Sequence, residues 1–316
     1  MSPAGRLSRW GWRLAQGLGL VATAALLGGL ARRPEATLHL VWNGVVPLIP
    51  ASLLVSPVLW RNCCPLATLN MLSNGLLGHR PAGARWTAGA NALGIVLLAS
   101  LVPARRFLLN SDGMALAIVI AGLAVLALSL GAVFDAKAGF CNGICPLLPV
   151  ERLYGQRPLL QVERVRCTTC TQCATACLDL APSKSIPQVL GRARHSEAWL
   201  KTPFGVFAGA FPGLVLAYFT ASDSPLSAAG DIYLRVLLFS AASYLIVFVP
   251  VSARGLSAAR VLPVLAALAG AMYYWFAAPG LAEAWGFPGE AAGLLARTAA
   301  LGLIAAWGWH AVRYSP

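Results

Sequence analysis

Charge is what this chain has least of. Only 11% of its 316 residues are Asp, Glu, Lys or Arg, where soluble domains carry roughly a quarter. Acid is the scarcer sign, with 11 Asp and Glu against 24 Lys and Arg, for a formal charge of +13. Histidine is scarce too, with four residues, and no Cys-x-x-Cys-His run is present, which excludes c-type haem attachment. His39 and His310 fall at opposite ends of apolar runs, and His79 and His195 fall between runs. Bis-histidine haem at one depth is therefore not expected. No nucleophile, general acid or general base constellation stands out, so a stand-alone enzyme is not expected.

Little charge, 58% hydrophobic residues and a mean hydropathy of +0.69 exclude an ordinary water-soluble domain and imply a bilayer. The 31 glycines and 21 prolines agree, since both are more frequent in membrane helices than in soluble ones. The basic residues are scattered between apolar runs and form no stripe with interleaved aromatics. Nucleic acid is thus not an expected partner, and membrane lipid is.

A helix needs ~20 apolar residues to cross the hydrocarbon, and eight stretches qualify: 14–31, 39–59, 86–103, 114–134, 204–221, 232–252, 261–279 and 291–309. The expected fold is an all-α polytopic membrane protein of about eight transmembrane helices. Its organisation is a four-helix half (1–134), a cytoplasmic segment (135–203) and a second four-helix half (204–316). Eighteen Lys and Arg fall on the side that carries both termini and the 135–203 segment, and four on the other. The positive-inside rule then places the termini and that segment in the cytoplasm, in a bacterial-type inner membrane. The basic run before 14–31 also suits a signal peptide, but Arg32 and Arg33 stand where small cleavage-site residues belong.

The eight cysteines are Cys63, Cys64, Cys141, Cys145, Cys167, Cys170, Cys173 and Cys177. By this topology all of them reach the cytoplasmic side, where a reducing environment disfavours disulfides. CTTCTQCATAC (167–177) has the Cys-x2-Cys-x2-Cys-x3-Cys spacing of bacterial ferredoxins. In such runs three close thiolates hold one cluster and the fourth ligates another. Structural zinc usually takes paired ligands separated by a longer loop, so zinc fits less well. Eight thiols suffice for two [4Fe-4S] clusters. One division joins Cys64 to Cys167, Cys170 and Cys173, and joins Cys63 to Cys141, Cys145 and Cys177. The four helix-end cysteines can also be dealt out otherwise. LWRNCCPL (59–66) and FCNGICPL (140–147) align as an internal repeat in which Cys64 matches Cys145 and Trp60 stands where Cys141 does.

Cys141, Cys145 and Pro146, the degenerate Cys63, Cys64 and Pro65, and the Cys167–Cys177 run give the chain its resemblance. It resembles the NapH- and NosR-type membrane polyferredoxins over roughly residues 39–190. The resemblance implies a small ferredoxin-like iron–sulfur loop between helices 4 and 5. It also implies electron transfer between the quinone pool, or another donor, and a partner. A quinone site is a further candidate, and an accessory or maturation role for a partner enzyme is the alternative. The chain departs from the family in having one full ferredoxin run, with Leu178 after Cys177 where many members have proline.

Other features have plainer readings. Arg235 and Arg297 lie within apolar runs but near their ends, where long side chains snorkel to the interface. Arg152, Arg157, Arg164 and Arg166 flank the cysteines. They could raise the potential of an anionic cluster or dock an acidic redox partner, and they serve equally as positive-inside residues. Pro47, Pro50 and Pro57 break the second run, which would aim Cys63 and Cys64 toward the other thiols or frame a quinone site.

Overall fold

A computed structural model describes residues 9–74, 76–77, 80–160, 178 and 182–313. These residues are helical, with no strand among them and one isolated bridge between Arg80 and Phe134. Eight helical stretches are long and apolar enough to cross a membrane. They are Trp10–Arg32, Pro34–Val55, Ala84–Leu109, Gly113–Val133, Pro203–Thr220, Leu226–Arg254, Ala258–Ala284 and Glu290–Arg313. Each overlaps one of the runs read from the sequence.

Most spans are single helices: α1 (Arg9–Arg32), α6 (Ala84–Ala104), α7 (Gly113–Val133), α10 (Pro203–Thr220), α11 (Ala229–Arg254), α12 (Ala258–Ala284) and α13 (Glu290–Arg313). Short connections make neighbours of consecutive helices, so α10 packs on α11 and α12 on α13. Asp112 caps α7 by accepting from the amides of Met114 and Ala115 at 2.8 and 3.0 Å, and Gly255 ends α11 in the left-handed region at φ 59°. Leu, Val and Ile side chains on α1, α7 and α11 remain exposed, as lipid-facing surfaces would be. The largest buried cluster joins Phe204, Phe211, Tyr274 and Trp307 from the second half to Leu53 and Leu54 from the first, with Tyr154 and Trp199 from the segment between them.

The second span is broken. Its parts are α2 (Pro34–His39), a π-helical turn Leu40–Val45, and α3 (Leu48–Val55). Ser56 is extended at φ −164°, as the residue before a proline prefers. Two short helices follow, α4 (Pro57–Cys63) and α5 (Pro65–Leu72), each with proline in its first turn. Proline suits that place because its missing N–H would be unpaired there anyway. The tyrosine of α12, Tyr274, donates to the freed carbonyl of Pro47 at 2.5 Å, which supplies the partner that a broken helix needs in a bilayer.

The chain also folds back after α7. Residues 140–144 form a π-helical turn, Phe140–Ile144, and Leu148–Gly155 form α8, whose eight residues are all buried. The turn lies on α6, where a Cβ added to Gly94 would sit 3.0 Å from the Cys145 carbonyl. Gly94 is ten residues beyond the start of α6, so this contact lies ~15 Å along the helix. Tyr154 approaches Gly270, in the middle of α12. The backbone of Cys63 approaches Gly19, in the middle of α1. The sequence suggests thiols at helix ends on one face. In the structure Cys63, Cys64 and Cys145 do end helical segments, and the backbones of Cys63 and Cys145 pack against the middle of α1 and of α6. α9 (Pro182–Leu190) and two 3-10 turns, Gly191–His195 and Glu197–Lys201, lead back to α10.

Candidate functional site

The two Cys-Pro segments adopt the same local conformation. Cys64 has φ −59° and ψ 124°, and Cys145 has φ −53° and ψ 122°. The cause is the proline that follows each, which pushes its predecessor out of the helical region. Each turn ends one helical segment and starts another, and the cysteine amides are held by the Trp60 and Phe140 carbonyls at 2.8 and 3.0 Å. The repeat read from the sequence is thus matched at the cysteine before each proline, while the flanking turns differ, α-helical before Cys64 and π-helical before Cys145.

Packing brings the two turns together. Cys141 is buried with Phe140, Ile144, Ala67, Ala90 and Ala127, and Cys64 and Cys145 pack against the same cluster. The three thiols are near enough that a charge on Cys64 would raise Cys141, and charges on Cys141 and Cys64 would raise Cys145. Of the two adjacent cysteines, it is Cys64 and not Cys63 that shares this cluster. Successive helical residues point ~100° apart, and the Cys63 backbone lies against α1. Cys167, Cys170, Cys173 and Cys177 lie outside the described residues.

Small residues permit this approach. Gly131 on α7 lies against the carbonyl and side chain of Asn70, and any Cβ there would overlap them. Asn70 is fully buried, donates to the Ala127 carbonyl at 3.0 Å, and presents Oδ1 to the Cys141 thiol at 3.9 Å. This is a weak contact, in keeping with a thiol donor.

A buried polar network stands beside the thiols. Arg61 donates to Glu151 through Nη1 and to Asn142 Oδ1 through Nη2, the latter at 2.7 Å. Lys137 donates to the Arg61 carbonyl and to Asn62 Oδ1, both at 3.0 Å. Arg152 donates through Nη1 to Asn91 and through Nε to Ser185 at 3.3 Å. Asn91 in turn reaches the Asn142 carbonyl at 3.4 Å. All three cations are at most 6% exposed.

Burial pushes the Cys141 thiol up to about 12, opposed by the charges of Arg61 and Lys137. Burial also raises Cys64 and Cys145, and Glu151 adds to both. Without a metal these groups are neutral thiols at neutral pH, and a bound metal would be needed to hold them as thiolates. Burial, with Arg61 adding to it and Glu151 acting the other way, lowers the Arg152 guanidinium to about 10. Among the described residues no three Cys, His, Asp or Glu side chains are placed to hold a metal ion by themselves. The described thiols alone make an incomplete ligand set.

The network was missed in the sequence. Arg61 and Lys137 count there only among the loop charges of a positive-inside side, Arg152 reads there as a charge beside the clusters or a positive-inside residue, and Asn70, Asn91 and Asn142 do not stand out. A signal was nevertheless present, because Arg61 and Asn62 sit beside Cys63 and Asn142 beside Cys141 within the repeat. Comparison with protein-family models, curated proteins and solved structures gives no match.

Proposed function

We propose that this chain is a membrane-bound electron-transfer protein that holds two [4Fe-4S] clusters and passes electrons between a quinone pool or other donor and a redox partner. The single observation that carries the reading is the shared dry cluster of Cys64, Cys141 and Cys145, drawn from segments about 80 residues apart and faced by Arg61 and Lys137. Its donor chemistry fits the group. Soft thiolates select iron–sulfur or zinc, and nearby cations offset the negative charge that four thiolates bring.

Because the described thiols are not by themselves placed to hold a metal, this reading needs Cys177, which the ferredoxin spacing sends away from its three neighbours, to complete the set and draw it together. Cys63 then completes the set of Cys167, Cys170 and Cys173. This exchanges Cys63 and Cys64 relative to the division that the sequence suggests. When bound, such clusters supply one-electron redox chemistry. The residues of this chain ligate them, exclude water around them through Phe140, Ile144 and Ala127, and set the local field through Arg61 and Lys137. A donor or acceptor with an acidic docking face would suit the basic loops.

The test is anaerobic purification of the full chain with iron and acid-labile sulfide analysis and reduced-state electron paramagnetic resonance. Two clusters predict about eight irons per chain and interacting signals. A colourless preparation, or one carrying zinc, rejects the reading. Anaerobic addition of a quinol then asks whether the clusters are reduced by the membrane pool.

A further inference from the structure

Among the described residues Arg152 is a buried cation with no carboxylate in direct contact, although Glu151 acts on it from a distance. It is 2% exposed, and its partners, Asn91 and Ser185, are neutral. Glu151, the adjacent carboxylate, is paired with Arg61 instead. Its Nη2 has no hydrogen-bond partner among the described residues. An unpaired buried charge is costly unless something compensates it.

Arg152 lines a cavity of about 450 Å³, within the size range of ligand sites. The cavity's other walls are largely apolar, with Ala88, Ala92, Ile95, Val189 and Phe204 among them. It follows α6 from Ala84 to Ile95, ~16 Å by helix rise. Its far edge is the start of α10, at Thr202 and Pro203. Two long helices thus turn their positive ends toward it, and anions are favoured there. At α6 the N-cap is Gly83, which offers no capping side chain.

From the buried guanidinium, the two helix starts and the apolar walls, we infer that this cavity binds an anionic amphiphile, its phosphate or carboxylate on Arg152 and its apolar part along α6. The thiol cluster lies on the neighbouring face of α6, at Ala90 and Gly94, so the ligand and the thiols occupy separate sites. The inference does not depend on a metal being present.

The experiment uses the full chain in mild detergent, with phosphatidylglycerol, phosphatidylcholine and inorganic phosphate as probes. Native mass spectrometry should show one phosphatidylglycerol retained per chain under conditions that strip phosphatidylcholine. Arg152→Gln and Ala92→Phe should each weaken that retention by at least about tenfold. Ala92→Phe fills the cavity and keeps the guanidinium, so it decides the matter should Arg152→Gln fail to fold. Thermal stabilisation by inorganic phosphate without phosphatidylglycerol retention, abolished in either variant, supports the site and assigns it to a free anion. Equal retention of the two lipids with no phosphate effect overturns the inference, as does retention that both variants leave unchanged.

Discussion

Arg61 is the residue on which the buried network turns. It holds Glu151 with one nitrogen and Asn142 with another, and its own carbonyl receives Lys137. Removing one member of a buried ion pair leaves the other uncompensated, at a cost of about 3–5 kcal/mol. Arg61→Ala should therefore lower the unfolding midpoint in detergent sharply, and the double variant Arg61→Met/Glu151→Leu should recover much of the loss. An additive double variant would mean that the pair has no coupling. At the same scale, Cys64→Ser should reduce bound iron by about half and leave one cluster's resonance intact. Cys63→Ser should also halve the iron but spare the other cluster. Identical residual spectra from the two variants would refute the proposed ligand exchange.

At the scale of elements, the lesson lies in the two Cys-Pro turns. The sequence marks both, because proline constrains its predecessor wherever it stands, and the matched φ and ψ of Cys64 and Cys145 follow from that local rule. What local rules cannot supply is the depth to which the turns reach. The fold-back of 140–155 depends on Gly94 accepting the backbone of Ile144 and Cys145 at close range, and on a polar network assembled from five separate segments. Gly94→Leu should displace the Phe140–Ile144 turn. Cysteine accessibility to a small maleimide in the metal-free protein reads that displacement directly. In the unsubstituted protein Cys141 should label slowly at neutral pH, since burial keeps its thiol protonated. In Gly94→Leu it should label faster, and unchanged labelling would show that the glycine contact is dispensable.

For the whole molecule, all eight spans were legible from hydropathy alone, since length and apolar composition determine what can cross a bilayer. The broken second span was also legible, through Pro47, Pro50 and Pro57. Residues 135–160 were not, because their polar composition reads as loop while their side chains satisfy one another between helices. α8 is a short helix whose eight residues are all buried in protein. The orientation remains a sequence-based expectation. Reporter fusions after Arg33 and after Arg313 should report opposite sides of the membrane, with the C-terminal one cytoplasmic. The same side for both would remove the eight-span topology.

The proposed ligand set, wedged among helices, would have a consequence for how the protein is made. Among the described residues Cys141 is buried and Cys64 and Cys145 are half-buried against α6 and α7, which would restrict how a bulky inorganic group reaches those sulfurs in the docked bundle. Loading would then precede final docking of the bundle, and chelators added to the finished protein should extract little. Biogenesis, more than affinity, would decide whether each copy carries its cargo.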